Sequence, residues 1–316
     1  MSRPYRSGFA ALIGRPNVGK STLLNRLAGE KLAIVSPKPQ TTRNRILGVV
    51  TLPEGQVAFV DTPGVHQARG RLNRTMVGVA LHALSEVDLV LFLVEPSQAK
   101  AAQPEIGPGD QLILDKLRST GKPAVLVINK IDSIAKPLLL PLIERYRHEA
   151  PFAEVVPVSA LTGDGVDRLL EAVLALLPEA PAMFDADMLT DQAEKTLVAE
   201  YVREQLLRHT QKEVPYSAAV VVDAFDETER VPRGGPAGKG GLAGLVHIDA
   251  TIYVERESQK AIVIGKRGQM LKAIGTDARK AVERLLGTHV YLALRVQVEP
   301  DWTQRADGLR KLGYGE

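Results

Sequence analysis

Apolar residues in the first half of the chain fall into short continuous runs separated by longer amphipathic stretches. Residues 9–13 (FAALI) end in Gly14, and an amphipathic stretch begins at Lys20 (KSTLLNRLAG), which predicts strand, glycine turn, helix. The same alternation predicts strands over 45–51, 57–60, 89–94, 124–128 and 154–158, and helices over 72–86, 111–120, 138–148 and 166–177. Strands made almost wholly of Val, Leu, Ile and Phe are buried on both faces. The expected fold is therefore α/β, a mostly parallel sheet with helices on both sides.

The run PEAP at 178–181 breaks this pattern and marks a boundary. The expected division is a first domain over 1–178, a linker over 189's preceding decade, 179–188, and a second domain over 189–316. The second part has a different order: helix over 192–211, strands over 217–224 and 246–254, two helices around a GKRG turn, and a last strand over 290–298. That order is α+β. Residues 232–244 (PRGGPAGKGGLAG) read as a glycine-rich loop.

Composition narrows the class. The chain has 316 residues, 45% hydrophobic and 24% charged, which suits two globular domains. Its apolar runs stay far below the roughly 18 residues of a spanning helix, and residues 1–9 lack the apolar stretch of a secretory signal. With no cysteine there is no disulfide framework, thiolate metal site or cysteine nucleophile, so the cytoplasm is the expected compartment. Forty basic against 37 acidic residues, net +3, does not by itself point to nucleic acid.

Gly14 to Ser21 reads GRPNVGKS, the G-x-x-x-x-G-K-[ST] pattern, placed between a strand and a helix as phosphate binding requires. Gly14, Asn17, Val18 and Gly19 offer backbone N–H groups, Lys20 reaches the β and γ oxygens, Ser21 ligates Mg2+, and Thr22 follows on the helix. Alone, this loop fits an ATPase, a kinase or a GTPase. Asp61 and Gly64 in DTPG end the run 57–60, where a carboxylate can hold Mg2+ through water and a glycine N–H can approach a γ-phosphate. Asn129, Lys130 and Asp132 in NKID follow the strand 124–128. An aspartate there accepts the ring N–H and exocyclic amine of guanine, which adenine does not present in that arrangement. Ser159, Ala160 and Leu161 follow the next strand and suit a loop whose backbone N–H meets the guanine carbonyl.

In the second part, Gly265-Lys266-Arg267-Gly268 is a G-x-x-G turn with a basic centre between helices, the signature of a KH domain, whose loop clamps about four unpaired nucleotides. From Lys260 to Arg284 there are seven basic residues, Lys272 and Lys280 among them, against two acidic ones, whereas 185–316 as a whole has 19 basic and 20 acidic. One face is basic while the domain is not, which fits a defined groove. Ile262, Ile264, Ile274 and Val254 are candidates for its apolar floor, each just as readily a core residue.

These motifs, with SPKPQTTRNRI at 36–46, DTPGVH at 61–66 and VIGKRGQMLKAIGTDARK at 263–280, make the whole chain resemble the Era-like family of bacterial ribosome-assembly GTPases, one of the translation-factor-related groups. The resemblance implies a P-loop GTPase domain followed by a type II KH domain, with GTP/GDP and Mg2+ as ligands. It implies that Thr42 contacts Mg2+, and that Lys20, Thr42 and Gly64 carry catalysis. It further implies a cytoplasmic monomer that binds the 3′ end of 16S rRNA and acts on the 30S subunit, with peripheral inner-membrane contact in some members. The loop PQTTR has no apolar periodicity, so it is expected to order around a γ-phosphate and Mg2+. Where many GTPases have a water-orienting glutamine, this chain has Val65. Several related GTPases with an apolar residue there use a monovalent cation, which implies K+ near Asn17; the alternative for Asn17 is a cap of the loop alone, and for the whole chain, favoured by Val65, a nucleotide-stabilised, non-catalytic RNA binder. The expected role of Trp302 is packing against the C-terminal helix.

Overall fold

The computed structural model describes residues 4–68, 70–96, 105–231 and 244–314. The chain forms two compact units, one of residues 1–69 and 73–191, the other of residues 192–316 together with the short segment 70–72. The first unit contains β1 (Arg6–Gly14), α1 (Lys20–Ala28), β2 (Ile46–Leu52), β3 (Gly55–Asp61), α2 (Arg71–Glu86) and β4 (Leu89–Val94). It continues with α3 (Pro108–Thr120), β5 (Ala124–Ile128), α4 (Leu139–Arg147), β6 (Glu154–Pro157) and α5 (Val166–Leu176). The sheet order is β2-β3-β1-β4-β5-β6, and every neighbouring pair is parallel except β2 with β3. Only Pro53 and Glu54 join those two strands, a link that permits a hairpin but no crossover.

Alternate residues of each central strand feed opposite cores. Ala11 and Ile13 join one apolar cluster with Phe92 and Leu126, while Ala10 and Leu12 join the other with Leu91 and Val127. This is why the strands read as unbroken apolar runs instead of an alternation. Because β1 lies between β3 and β4, the winding reverses at its carboxyl end, where open α/β sheets hold ligands. Gly14 ends β1 at that point.

The segment expected as a linker, 179–188, lies along the first unit. Ser7 N–H donates to the Pro178 carbonyl (3.2 Å) and Ala180 N–H to that of Tyr5 (3.2 Å). The side chain of Gln56, fully buried, accepts from the N–H groups of Met183 and Phe184 at 2.8 and 2.9 Å and donates to the Phe184 carbonyl at 2.9 Å. Phe184 packs edge-on against Phe9. A buried glutamine in β3 thus satisfies backbone groups of the segment read as a linker.

The second unit has the expected order: α6 (Glu194–His209), β7 (Ala219–Arg230), β8 (Gly244–Val254), α8 (Glu257–Ile264), α9 (Gln269–Leu286) and β9 (His289–Val298). Two short helices, α7 (Val214–Ser217) and α10 (Ala306–Lys311), are added to it. β8 pairs antiparallel with β7 and parallel with β9. Strand β7 runs six residues past its expected end at Ala224, and register shifts after Val222 and Asp226 carry its exposed acidic tail along β8. The glycine-rich stretch, with Arg233 and Lys239, lies outside the described residues apart from Gly244. Trp302 is fully buried, donates its indole N–H to the Ser217 carbonyl (2.8 Å) and stacks on Tyr314. Its backbone also lies where a Cβ on Gly308 of α10 would fall, 2.9 Å from Trp302 Cα, so it packs that helix.

Replacing Gln56 with Ala removes the acceptor for two N–H groups and the donor to a carbonyl at a closed site. We expect urea unfolding to show a loss of about 3 kcal/mol, together with faster proteolysis between 178 and 191.

Candidate functional site

The phosphate loop turns through two left-handed residues, Asn17 (φ 64°) and Gly19 (φ 98°). Gly19 admits no side chain: a Cβ would lie 2.2 Å from Asn129 Nδ2. A Cβ on Gly14 would meet the Leu93 carbonyl oxygen at 2.4 Å. The loop delivers the chain to the amino end of α1, whose first residue is Lys20. The Lys20 ammonium is buried and donates to the carbonyls of Gly14 (3.2 Å) and Arg15 (3.1 Å). Burial pulls its pKa down to about 8, against the attraction of Asp61. A desolvated cation held only by carbonyl dipoles is well suited to take a phosphate oxygen.

Three oxygens converge beside it. Ser21 Oγ donates to Asp61 Oδ2 at 2.6 Å, Thr42 Oγ1 donates to the same oxygen at 3.1 Å, and the two hydroxyls lie 2.8 Å apart. Asp61 is fully buried and its Oδ1 has no hydrogen-bond partner. Burial raises the Asp61 pKa, opposed first by Lys20 and then by the two hydroxyls. A hard oxygen set of this kind, with an orphaned carboxylate oxygen, fits Mg2+. In the loop PQTTR, Thr42 and Arg43 are buried, and Thr42 rests on Asp61, beside the oxygens that would hold Mg2+.

Gly64 lies against Pro16, where a Cβ would come within 2.7 Å of the proline backbone. The next residue, Val65, donates its N–H to the Gly14 carbonyl (3.1 Å) while its side chain is fully buried in an apolar core cluster. The position that holds a water-orienting glutamine elsewhere therefore faces the interior. His66, unremarked in the sequence, has Nδ1 3.0 Å from the Gly64 carbonyl and a buried Nε2 without a partner.

Base-side residues assemble around Asn129, which is buried. Its Nδ2 donates to the Val18 carbonyl (2.7 Å), and its Oδ1 accepts from Ala160 N–H (2.9 Å). Lys130, in left-handed backbone, donates to the Asn17 carbonyl (2.7 Å) and pairs with Glu95. Asp132 stands exposed in the short turn that follows. Of the three N–H groups at 159–161, that of Ser159 goes to the Asp164 carbonyl and that of Ala160 to Asn129, leaving Leu161's. A cavity of about 410 Å3 lies against Asn17, Gly19, Lys20, Ser21, Thr22, Thr42, Gly64 and Lys130.

Sequence reasoning missed Arg15 and Asp110. Arg15 fills a variable position of the phosphate-loop pattern, and its Nε lies 3.1 Å from Asp110 Oδ2 in the first turn of α3. Asp110 is 1% exposed and also accepts from the Tyr146 hydroxyl at 2.8 Å. Burial raises its pKa, opposed mainly by Arg15. An acid in a helix's first turn reads as an ordinary dipole partner, so only the packing reveals a buried carboxylate paired with the half-exposed Arg15 of the loop.

In the second unit, Lys266 and Arg267 are exposed between Gly265 and Gly268, both at positive φ, and Arg267 itself is left-handed (φ 54°). A Cβ on Gly265 would lie 2.6 Å from Met270 Cβ. Lys272 and Lys280 are exposed on α9. Among the expected floor residues, Ile262 is 46% exposed and Ile264 half-buried, but Ile274 and Val254 are fully buried. Those two belong to the core that seats α9 on the sheet, and leave the floor list.

Fold and site together define a P-loop GTPase domain joined to a KH domain. Residues 9–130 match the family of 50S ribosome-binding GTPases and residues 235–303 the KH domain. The GTPase Era of Geobacter metallireducens is 52% identical over 311 residues, 98% of each chain, and that of Geotalea uraniireducens 51% over 99% of each. Among solved structures, Era of Aquifex aeolicus bound to GDP and AlF4- superimposes with a TM-score of 0.89 at 40% identity, over 98% of this chain and all of that one. An Era complex with MgGDPNP and nucleotides of 16S ribosomal RNA gives 0.88 at 40% identity, over 99% of this chain and all of that one. The chain belongs to the Era family of GTPases, which decides for hydrolysis over the non-catalytic alternative.

Replacing Asp110 with Ala strands the Arg15 guanidinium and the Tyr146 hydroxyl. Urea unfolding is expected to show a loss of about 2 kcal/mol, mainly from the buried Tyr146 hydroxyl left without its acceptor, and Arg15→Gln in the same background should add little, since the pair is already broken.

Proposed function

We propose that this chain binds the 3′ end of 16S rRNA through the GKRG turn and acts, as a cytoplasmic monomer, in maturation of the 30S subunit under control of its GTP cycle. The observation that carries the nucleotide half is the convergence of Ser21, Thr42 and Asp61 oxygens beside a buried Lys20. Residues up to Asp191 carry the nucleotide chemistry, and those from Gln192 on carry the RNA chemistry. Ser21 and Thr42 would hold Mg2+ directly and Asp61 through water; the ion supplies charge neutralisation at the β and γ oxygens when bound. Lys20 takes a phosphate oxygen, Gly64 offers its N–H at the γ side, and Asp132 with the Leu161 N–H reads the guanine edge.

The RNA half is supported by the exposed Lys266, Arg267, Lys272 and Lys280 and by the 16S rRNA in the related Era complex. Replacing Lys266 and Arg267 with Glu is expected to weaken binding of single-stranded RNA from the 16S 3′ end by about a hundredfold, with a shallower salt dependence, while basal GTP hydrolysis stays unchanged. Unchanged RNA affinity would move the RNA to another face. Peripheral membrane contact stays an expectation of the family; no described helix is long and apolar enough to cross a bilayer.

With Val65 turned into the core, hydrolysis needs charge from another source, and we assign it to K+ near Asn17. The Asn17 amide is oriented by its Nδ2 donating to the Pro37 carbonyl at 2.7 Å, which leaves the side-chain oxygen as a ligand. Turnover is expected to be faster in KCl than in matched NaCl, and Asn17→Ala is expected to erase the difference. Equal rates in the two salts overturn the K+ assignment alone.

A further inference from the structure

The guanine loop is held from beneath by a residue of the phosphate-loop helix. Arg26 lies six residues after Lys20 on α1. Its Nε donates to the Ala160 carbonyl at 3.2 Å and its Nη2 to the Leu161 carbonyl. On the other side of the same loop, Ala160 N–H is taken by Asn129. The peptide on each side of Ala160 is thus anchored: its N–H is fixed by an amide on the β5 side and its carbonyl by a guanidinium on α1. Leu161, whose side chain is 70% exposed and gives the loop no apolar anchor, follows directly. Gly163 makes the left-handed turn that closes the loop, with Arg26 Nη1 3.9 Å from where its Cβ would stand.

We propose that Arg26 is a positioning residue for base specificity, orienting the Leu161 N–H toward the guanine 6-carbonyl. This rests on the reading of 159–161 as the guanine-carbonyl loop. A planar guanidinium holds its two donors in a fixed fork across two successive carbonyls, whereas a lysine would bring a single freely rotating ammonium to them. Because Arg26 rides on the helix whose amino end holds the phosphates, it also keeps the base loop in register with the phosphate loop.

Competition against a fluorescent GDP tests this with three unlabelled diphosphates. GDP is the reference; 6-thio-GDP weakens only the acceptor at position 6; IDP lacks only the exocyclic amine facing Asp132. Each ratio of dissociation constants is independent of the fraction of protein that is folded. Wild type is expected to prefer GDP over both analogues. Arg26→Gln is expected to shrink the preference over 6-thio-GDP by about fivefold, leaving the preference over IDP unchanged, and Arg26→Lys is expected to restore part of it. A merely structural role moves both ratios or neither. If Arg26→Gln keeps the wild-type ratio for 6-thio-GDP, the role of Arg26 is overturned while the base site stands. If wild type itself distinguishes neither analogue from GDP, the base-site reading falls and takes the proposal with it. Should Arg26→Gln fail to fold, Arg26→Met, which keeps the aliphatic stem and removes every donor, carries the same comparison.

Discussion

One buried amide holds the nucleotide site together. The side chain of Asn129 donates to the phosphate loop at the Val18 carbonyl and accepts from the base loop at Ala160 N–H, using both of its functions in opposite directions. Its own N–H is tied to the Val94 carbonyl at the end of β4. Three loops that leave three different strands therefore share one hydrogen-bond centre. Aspartate there would lack the donor toward Val18, and a longer side chain would have no room, because Gly19 is already so close that a Cβ would overlap the amide. The glycine is required as much by this amide as by its φ of 98°.

The phosphate end obeys a different constraint, that of buried charge. Lys20 and Asp61 are both withdrawn from water, and each is supported by neutral dipoles: carbonyls for the ammonium, hydroxyls for the carboxylate. Burial works against the charged form of each, so the arrangement is held in tension. Phosphate oxygens and a divalent cation relieve that tension by giving each group an opposite charge. The Arg15–Asp110 pair ties the outer edge of the same loop to α3 by a contact made within the protein.

Much of this was legible in sequence because the motifs carry their own geometry. GRPNVGKS, DTPG and NKID each follow a strand and each sit at the carboxyl edge of the sheet. What escaped was set by long-range packing. Gln56 reads as a polar residue at the start of a strand, yet it straps a segment more than 120 residues away in sequence. Asp110 and Arg26 look like ordinary helix charges until their partners are known. The groove floor failed for a plainer reason: Ile274 and Val254 satisfy both the helical or strand period of a core and the apolarity of a binding surface, and periodicity cannot separate the two. Ile262, out of phase with the buried Val263, is the residue whose exposure marks it.

The charge layout of the second unit argues for a directional RNA surface. Four of its acidic residues, Asp223, Asp226, Glu227 and Glu229, stand exposed along the edge strand β7, whereas Lys266 and Arg267 lie on the turn before α9. On α9 itself the two acids are already engaged, Asp277 with His209 and Glu283 with Arg279. Screening over about 8 Å at physiological salt keeps the field of each patch local, so a near-neutral unit can attract a phosphate backbone on one side and repel it on another. Net charge was uninformative because both patches count toward it. The left-handed Arg267 between two glycines then explains why the attractive side is narrow: only a turn of that shape places two adjacent cations at the surface with no side chain of the neighbouring glycines in the way.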